Sequence, residues 1–171
     1  MRLDRGTVGL PQNVDVVGEH VLWEDWADLV RLAHADPTTT ASLFRRVDPG
    51  DLKGFRTDGV EMVWMEGYDR QPDGAYARLE LWASPYARDP SALAPHLVRT
   101  MGQRGVPIYG DGWYLMLRSD PRRLEIVDTA DGSLREWAQA TEHYASENEL
   151  LLSARGGLVR LDPHALPIVE E

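Results

Sequence analysis

The order of elements along the sequence predicts an α+β domain. It should hold a mainly antiparallel sheet built from hairpins, flanked by three to four helices. Three observations lead there. Apolar residues recur at helical spacing in residues 19–35 and again after Ser133. Three pairs of short apolar segments are separated by turn residues. No helical crossover separates the members of those pairs, so they read as antiparallel hairpins.

The elements follow in order. Residues 1–18 read as an irregular lead-in or a short edge strand, with Gly9, Pro11 and Asn13 among isolated valines. In residues 19–35, Leu22, Trp26, Leu29, Val30 and Ala33 form a helical stripe. Acids lie early in it and Arg31 and His34 late, which suits a helix dipole. Asp36-Pro37 stops this helix and opens a second, through Arg46.

Residues 60–66 and 76–83 read as paired strands across a loop containing Pro72 and Gly74. Asp89-Pro90 opens a helix running to about Gln103, with Pro95 as its first regular residue. Residues 113–118 and 123–129 form a second hairpin about Asp120-Pro121. Ser133 and Glu136 have capping-box spacing, and the helix they start buries Leu134, Trp137, Ala138, Thr141 and Ala145. Residues 149–155 and 158–161 flank Gly156-Gly157 as a third hairpin. Residues 163–171 read as a surface tail, and 1–171 as a single domain with no internal repeat.

Two of these strands are apolar on both faces. Met62 and Trp64 alternate with Val63 and Met65, and Trp113 and Leu115 with Tyr114 and Met116. A half-exposed antiparallel strand would alternate with polar residues. Both are therefore expected at the centre of a sheet, with helices of this chain covering the two faces.

Composition narrows the chemistry. With no cysteine, thiolate catalysis, disulfides and thiolate metal sites are excluded. Neither an apolar leader nor a membrane-length apolar run is present, which gives the expectation of a cytoplasmic protein. Net charge is −10, concentrated in residues 1–75 and 131–171, while 76–130 are near neutral. Such a balance opposes direct nucleic-acid binding and suits a basic protein partner.

Residues 69–80 resemble the twelve-residue EF-hand calcium loop. Asp69, Asp73 and Glu80 stand at its first, fifth and twelfth positions, and Gly74 at its sixth. Gln71 and Pro72 depart from that pattern, and strand flanks carry Glu80 too far away to close on an ion. A plain hairpin loop is the expectation. The five histidines offer no HxH, HExxH or i, i+4 pair, and no Gly-x-Ser-x-Gly elbow or phosphate-cradling loop is present. No cofactor is implied.

Of six tryptophans, Trp26, Trp64, Trp113 and Trp137 fall on the apolar faces of their elements, while Trp23 and Trp82 fall on the opposite faces. With Tyr86, Trp23 and Trp82 would form a protein-recognition patch, since exposed aromatics are enriched at interfaces. The leading expectation is thus a non-catalytic protein-binding module of adaptor, chaperone-like or immunity type, bound to another protein or to a second copy of itself. One alternative is an enzyme whose site converges in three dimensions around His96, Arg99, Asp111 and Glu125. Another is an acidic mimic of nucleic acid.

Overall fold

The computed structural model describes residues 12–25, 29–34, 42–46, 51–101, 108–110, 112–119, 122–137, 142–146, 149–154 and 157–169. They are nearly all β. Among them there is no α-helix, and the only helical pieces are single 3-10 turns at Pro90–Ala92 and Pro163–Ala165. The α+β expectation, with its three to four flanking helices, is overturned.

The strands fall into four antiparallel sheets, each made of strands consecutive in sequence. The first holds β1 (Gln12–Val17), β2 (His20–Asp25), β3 (Leu29–His34) and β4 (Ser42–Arg46). The second holds β5 (Asp51–Thr57), β6 (Glu61–Arg70), β7 (Tyr76–Pro85) and β8 (His96–Met101). The third holds β9 (Ile108–Gly110), β10 (Trp113–Ser119), β11 (Arg122–Asp128) and β12 (Leu134–Trp137). The fourth holds β13 (Glu142–Ser146), β14 (Glu149–Ala154) and β15 (Gly157–Leu161). The first three sheets have the four-stranded up-and-down order of β-propeller blades, and the fourth has three described strands in the same order. The chain divides into two compact units, residues 1–100 and 101–171.

Each lost helix has a local cause. Residues 20–25 and 29–34 are the strands β2 and β3, paired in register from His20↔His34 to Asp25↔Leu29, and Trp26 lies outside the described residues. Val21, Leu22, Trp23 and Glu24 are buried in succession, which a strand covered on both faces explains and a one-sided helix does not. Of the expected second helix, Ser42–Arg46 is strand β4, and residues 36–41 lie outside the described residues. The expected helix from Asp89 is one 3-10 turn followed by β8, because Pro95 removes a helical hydrogen bond and holds its neighbour extended. Ser133 caps no helix. Its N–H donates to Asp131 Oδ1 at 2.8 Å and its carbonyl accepts from Asp128 N at 3.0 Å, so it belongs to the β11–β12 turn. The three expected hairpins are present as β6–β7, β10–β11 and β14–β15.

The expected absence of a repeat also needs correcting. Once the sheets are aligned, the third strand of each carries an Arg-Leu pair: Arg31-Leu32, Arg78-Leu79, Arg123-Leu124 and Arg160-Leu161. Leu79, Leu124 and Leu161 are all buried. The repeat is too short and its spacing too uneven to stand out in the bare sequence.

Sheets, not helices, cover the apolar strands in the first unit. Leu22 of β2, Leu52 and Phe55 of β5, and Met62 and Trp64 of β6 form one buried cluster. It therefore joins the first sheet to the second, as face-to-face sheet packing requires. Burying each such side chain contributes about 1.5–3 kcal/mol before entropy is counted. A second tie is polar: Thr57 N donates to Asp15 Oδ2 at 3.1 Å. In the second unit, Trp113, Tyr114, Leu124, Ile126, Val127 and Leu161 are buried.

Candidate protein-binding surface at the open end of the β6–β7 hairpin

The β6–β7 ladder runs from Glu61↔Pro85 at its open end to Arg70↔Tyr76 beside its tip. Its middle pairs Trp64↔Trp82, Glu66↔Glu80 and Tyr68↔Arg78. Residues two apart on a strand share a face, so these six side chains form one ladder. Trp64 Nε1 donates to Glu66 Oε1 at 2.7 Å, and the Tyr68 hydroxyl donates to Glu66 Oε2. Trp82 Nε1 donates to Glu80 Oε2 at 3.2 Å, and Arg78 Nη1 lies 2.9 Å from Glu80 Oε1. The Arg78 guanidinium sits 4.4 Å above the centre of the Tyr68 ring.

Two buried acids directly opposite one another ought to repel. Here each of the four carboxylate oxygens has its own donor, so the pair is a structural lock with no oxygen reserved for proton transfer. For the same reason Glu80 is not presented to a calcium ion: both its oxygens face Arg78 and Trp82. Asp69 and Asp73 lie exposed by the hairpin tip, where Asp73 Oδ1 accepts from Ala75 N at 3.0 Å. Gln71 N to Ala75 O, 2.7 Å, closes the turn. Among the described residues, no group of three or more His, Asp or Glu could hold a metal ion.

The open end of the hairpin is built differently. Asp58 Oδ1 accepts from the N–H groups of both Val60 and Glu61, each at 2.8 Å. Thr57 Oγ1 donates to Glu61 O at 2.6 Å and accepts from Gly59 N at 3.1 Å. Gly59 takes a φ of +89°, where L side chains are strained, and a Cβ there would stand 2.7 Å from Val17 Cγ1. This tightly bonded turn holds Val60 out with 77% of its surface exposed. Val60 O accepts from Tyr86 N at 2.9 Å, so Tyr86 is its neighbour.

Val17, Trp82, Tyr86 and Leu93 are partly buried and pack on the inter-sheet cluster behind that turn. Next to Val17 on β1, Val16 is also highly exposed. Asp15, Glu19, Asp58 and Glu61 lie in the same two hairpin ends, with Arg56 and Arg88 as the nearby cations in sequence. Burial pushes the Tyr86 hydroxyl pKa up, against the opposing pull of Arg88.

The residues expected from the sequence separate. Trp82 and Tyr86 come together here. Trp23 does not belong to an exposed patch: it is 4% exposed, because β2 is interior to its sheet. His96 and Arg99 lie three apart on β8, so they point to opposite faces. Glu125 is buried in β11 of the other unit, and Asp111 lies outside the described residues. Val60 escaped the sequence reading because it was assigned to a strand. The signal that would have found it is Asp58-Gly59, a turn pair immediately before an apolar run.

No protein-family model matches the chain, and no curated protein matches it. Among solved structures, it is similar to a chain of the "Crystal structure of Nidogen/Laminin Complex", a β-propeller-like neighbour. The TM-score is 0.61 at 13% identity, covering 98% of this chain and 65% of that one. The chain thus spans just under two thirds of the length of the structure it matches. At that identity the likeness bears on fold alone, and it agrees with the blade-like order of the four sheets.

Proposed function

We propose that the chain is a non-catalytic protein-binding module of β-propeller type. Its partner would be an apolar segment carrying basic residues. The observation that carries this reading is the rigid Asp58-Gly59 turn, which presents Val60 beside Tyr86 and Val17 among acidic groups. An apolar contact held by a bonded turn loses little conformational freedom on binding, so more of its contact energy reaches affinity. The surrounding carboxylates favour a cationic partner and speed encounter with it. The similar solved structure is a complex of nidogen and laminin, which is in keeping with a binding role but carries no interface residue over.

The test is selection of displayed random peptides on the full chain, followed by affinity measurement on the Val60→Asp and Tyr86→Ala variants. Enrichment of apolar-basic peptides whose affinity falls at least about tenfold on Val60→Asp supports the reading. No enrichment, or peptides that bind Val60→Asp equally well, overturns it. Sedimentation over a range of concentrations reports whether a second copy occupies the same surface. Dimerisation abolished by Val60→Asp would replace the foreign partner with this chain itself.

A further inference from the structure

Asp89-Pro90-Ser91-Ala92-Leu93 and Asp162-Pro163-His164-Ala165-Leu166 follow one pattern, Asp-Pro-x-Ala-Leu. They also make the same turn. In the first, Asp89 Oδ1 accepts from Ser91 N at 2.9 Å and Asp89 O accepts from Ala92 N at 3.0 Å. In the second, Asp162 Oδ1 accepts from His164 N at 2.9 Å and Asp162 O accepts from Ala165 N at 3.1 Å. Each begins just after the third strand of the second sheet of its unit.

Both turns reach to the fourth strand of the preceding sheet. The first lies alongside β4, and its Leu93 packs on the cluster that joins the two sheets. Beyond it, Ala94 N donates to the buried Ser84 Oγ at 3.1 Å. The second is tied to β12 more explicitly. Arg135 Nη1 donates to Leu166 O at 2.5 Å, Val169 N donates to Leu134 O at 2.7 Å, and Ile168 bridges Arg135. His164 Nδ1 also lies 3.4 Å from Asp128 Oδ2 at the end of β11.

The third sheet supplies the contrast. Its corresponding turn also has an aspartate acceptor, Asp131, but carries Gly132 at φ 74° where the others have proline. It folds back on its own sheet, through Gly132 N to Asp128 O at 2.9 Å and Asp128 N to Ser133 O at 3.0 Å.

We propose that Asp-Pro-x-Ala-Leu is an inter-sheet clasp. It fastens the second sheet of each unit to the last strand of the first, and makes the two-sheet pair the cooperative element of the chain. The clasp works because proline fixes φ for the turn and the aspartate satisfies the N–H that follows. A rigid turn can then aim its leucine and the residues after it at the neighbouring sheet.

Native-state hydrogen exchange on the full chain tests this, with Asp162→Ala and Asp89→Ala. For Asp162→Ala, the amides of Val169 and of β12 should exchange about fivefold faster or more, while β5–β8 keep their rates. For Asp89→Ala, Ala94, β4 and β8 should respond while β10–β12 do not. Acceleration confined to the turn amides themselves would reduce the motif to a local cap and overturn the proposal. Uniform acceleration through both units would overturn the two-sheet pair as the cooperative element. If either alanine variant fails to fold, Asp162→Asn and Asp89→Asn replace it. These keep an acceptor but weaken it, and the same pattern at smaller amplitude is required.

Discussion

Glu66 shows how a buried charge-bearing group can be structural. It is 1% exposed, and its two oxygens accept from an indole and a phenol. Glu66→Gln keeps an oxygen for Trp64 and offers an N–H to the Tyr68 hydroxyl, which can rotate to accept it. Glu66→Leu leaves the indole N–H without that acceptor. The expected destabilisation is under about 1 kcal/mol for glutamine and about 1–3 kcal/mol for leucine, read from urea unfolding. A leucine variant as stable as the wild type would mean that the ladder holds nothing together.

Asp89 gives the matching prediction in pH. The backbone N–H of Ser91, and then its hydroxyl, hold this carboxyl below its ordinary value of 3.8. A lowered folded-state pKa means that the unfolded chain binds the proton more readily. The stabilisation is therefore complete above about pH 4 and fades as pH falls through the lowered pKa. The unfolding midpoints of wild type and Asp89→Ala should differ at neutral pH and converge as pH falls below the carboxyl's ordinary value of 3.8. A gap unchanged across that range would rule out the charged form as the source.

At the scale of elements, hairpins marked by turn residues were legible, and the strands of residues 20–25, 29–34 and 134–137, which carry a helical pattern, were not. Residues 76–83 advertise a strand because Arg78 and Glu80 alternate with Leu79 and Leu81, and residues 60–66 because a short apolar run follows a turn pair. Residues 19–35 contain no glycine or proline, and leucine and alanine suit either conformation. Pairing with a partner strand then overrides propensity, as it does for residues 133–137, where a good capping box lies on a strand edge. Trp82 and Tyr86 were legible as a partly exposed pair. Trp23 was not, because its face was assigned from a helical wheel that does not exist.

The turns allow a paired test. Gly59 and Gly74 have nearly the same backbone, φ +89° and +86°, but a Cβ at Gly59 meets Val17 while one at Gly74 meets nothing within 4 Å. Both alanine variants should lose about 1–2 kcal/mol to the left-handed conformation. Gly59→Ala should lose more, by the cost of displacing Val17. Equal losses in thermal or urea unfolding would show that the two hairpin ends yield with the same ease.

For the whole molecule, charge and topology are the informative quantities. A net charge of −10 opposes binding to phosphate backbones. Fluorescence anisotropy with labelled duplex DNA should show no binding at about 0.15 M salt, and saturable binding there would contradict the charge argument. The number of sheets was not legible. Repetition is carried by one Arg-Leu pair per sheet and by turns that recur in alternate sheets, and each is too sparse to stand out until the strands are aligned.

Every ladder described above joins strands that are neighbours in sequence. Apart from the Arg135↔Ile168 bridge, no described ladder waits for a distant segment to arrive, so loop closure during strand pairing is cheap and contact order is low for an all-β chain. On a ribosome, β1–β4 can therefore pair while β5 is still being made, and each later sheet can pair from its own consecutive strands. An emerging chain of this kind pairs each strand soon after it is made, which shortens the interval in which an unpaired strand is open to aggregation.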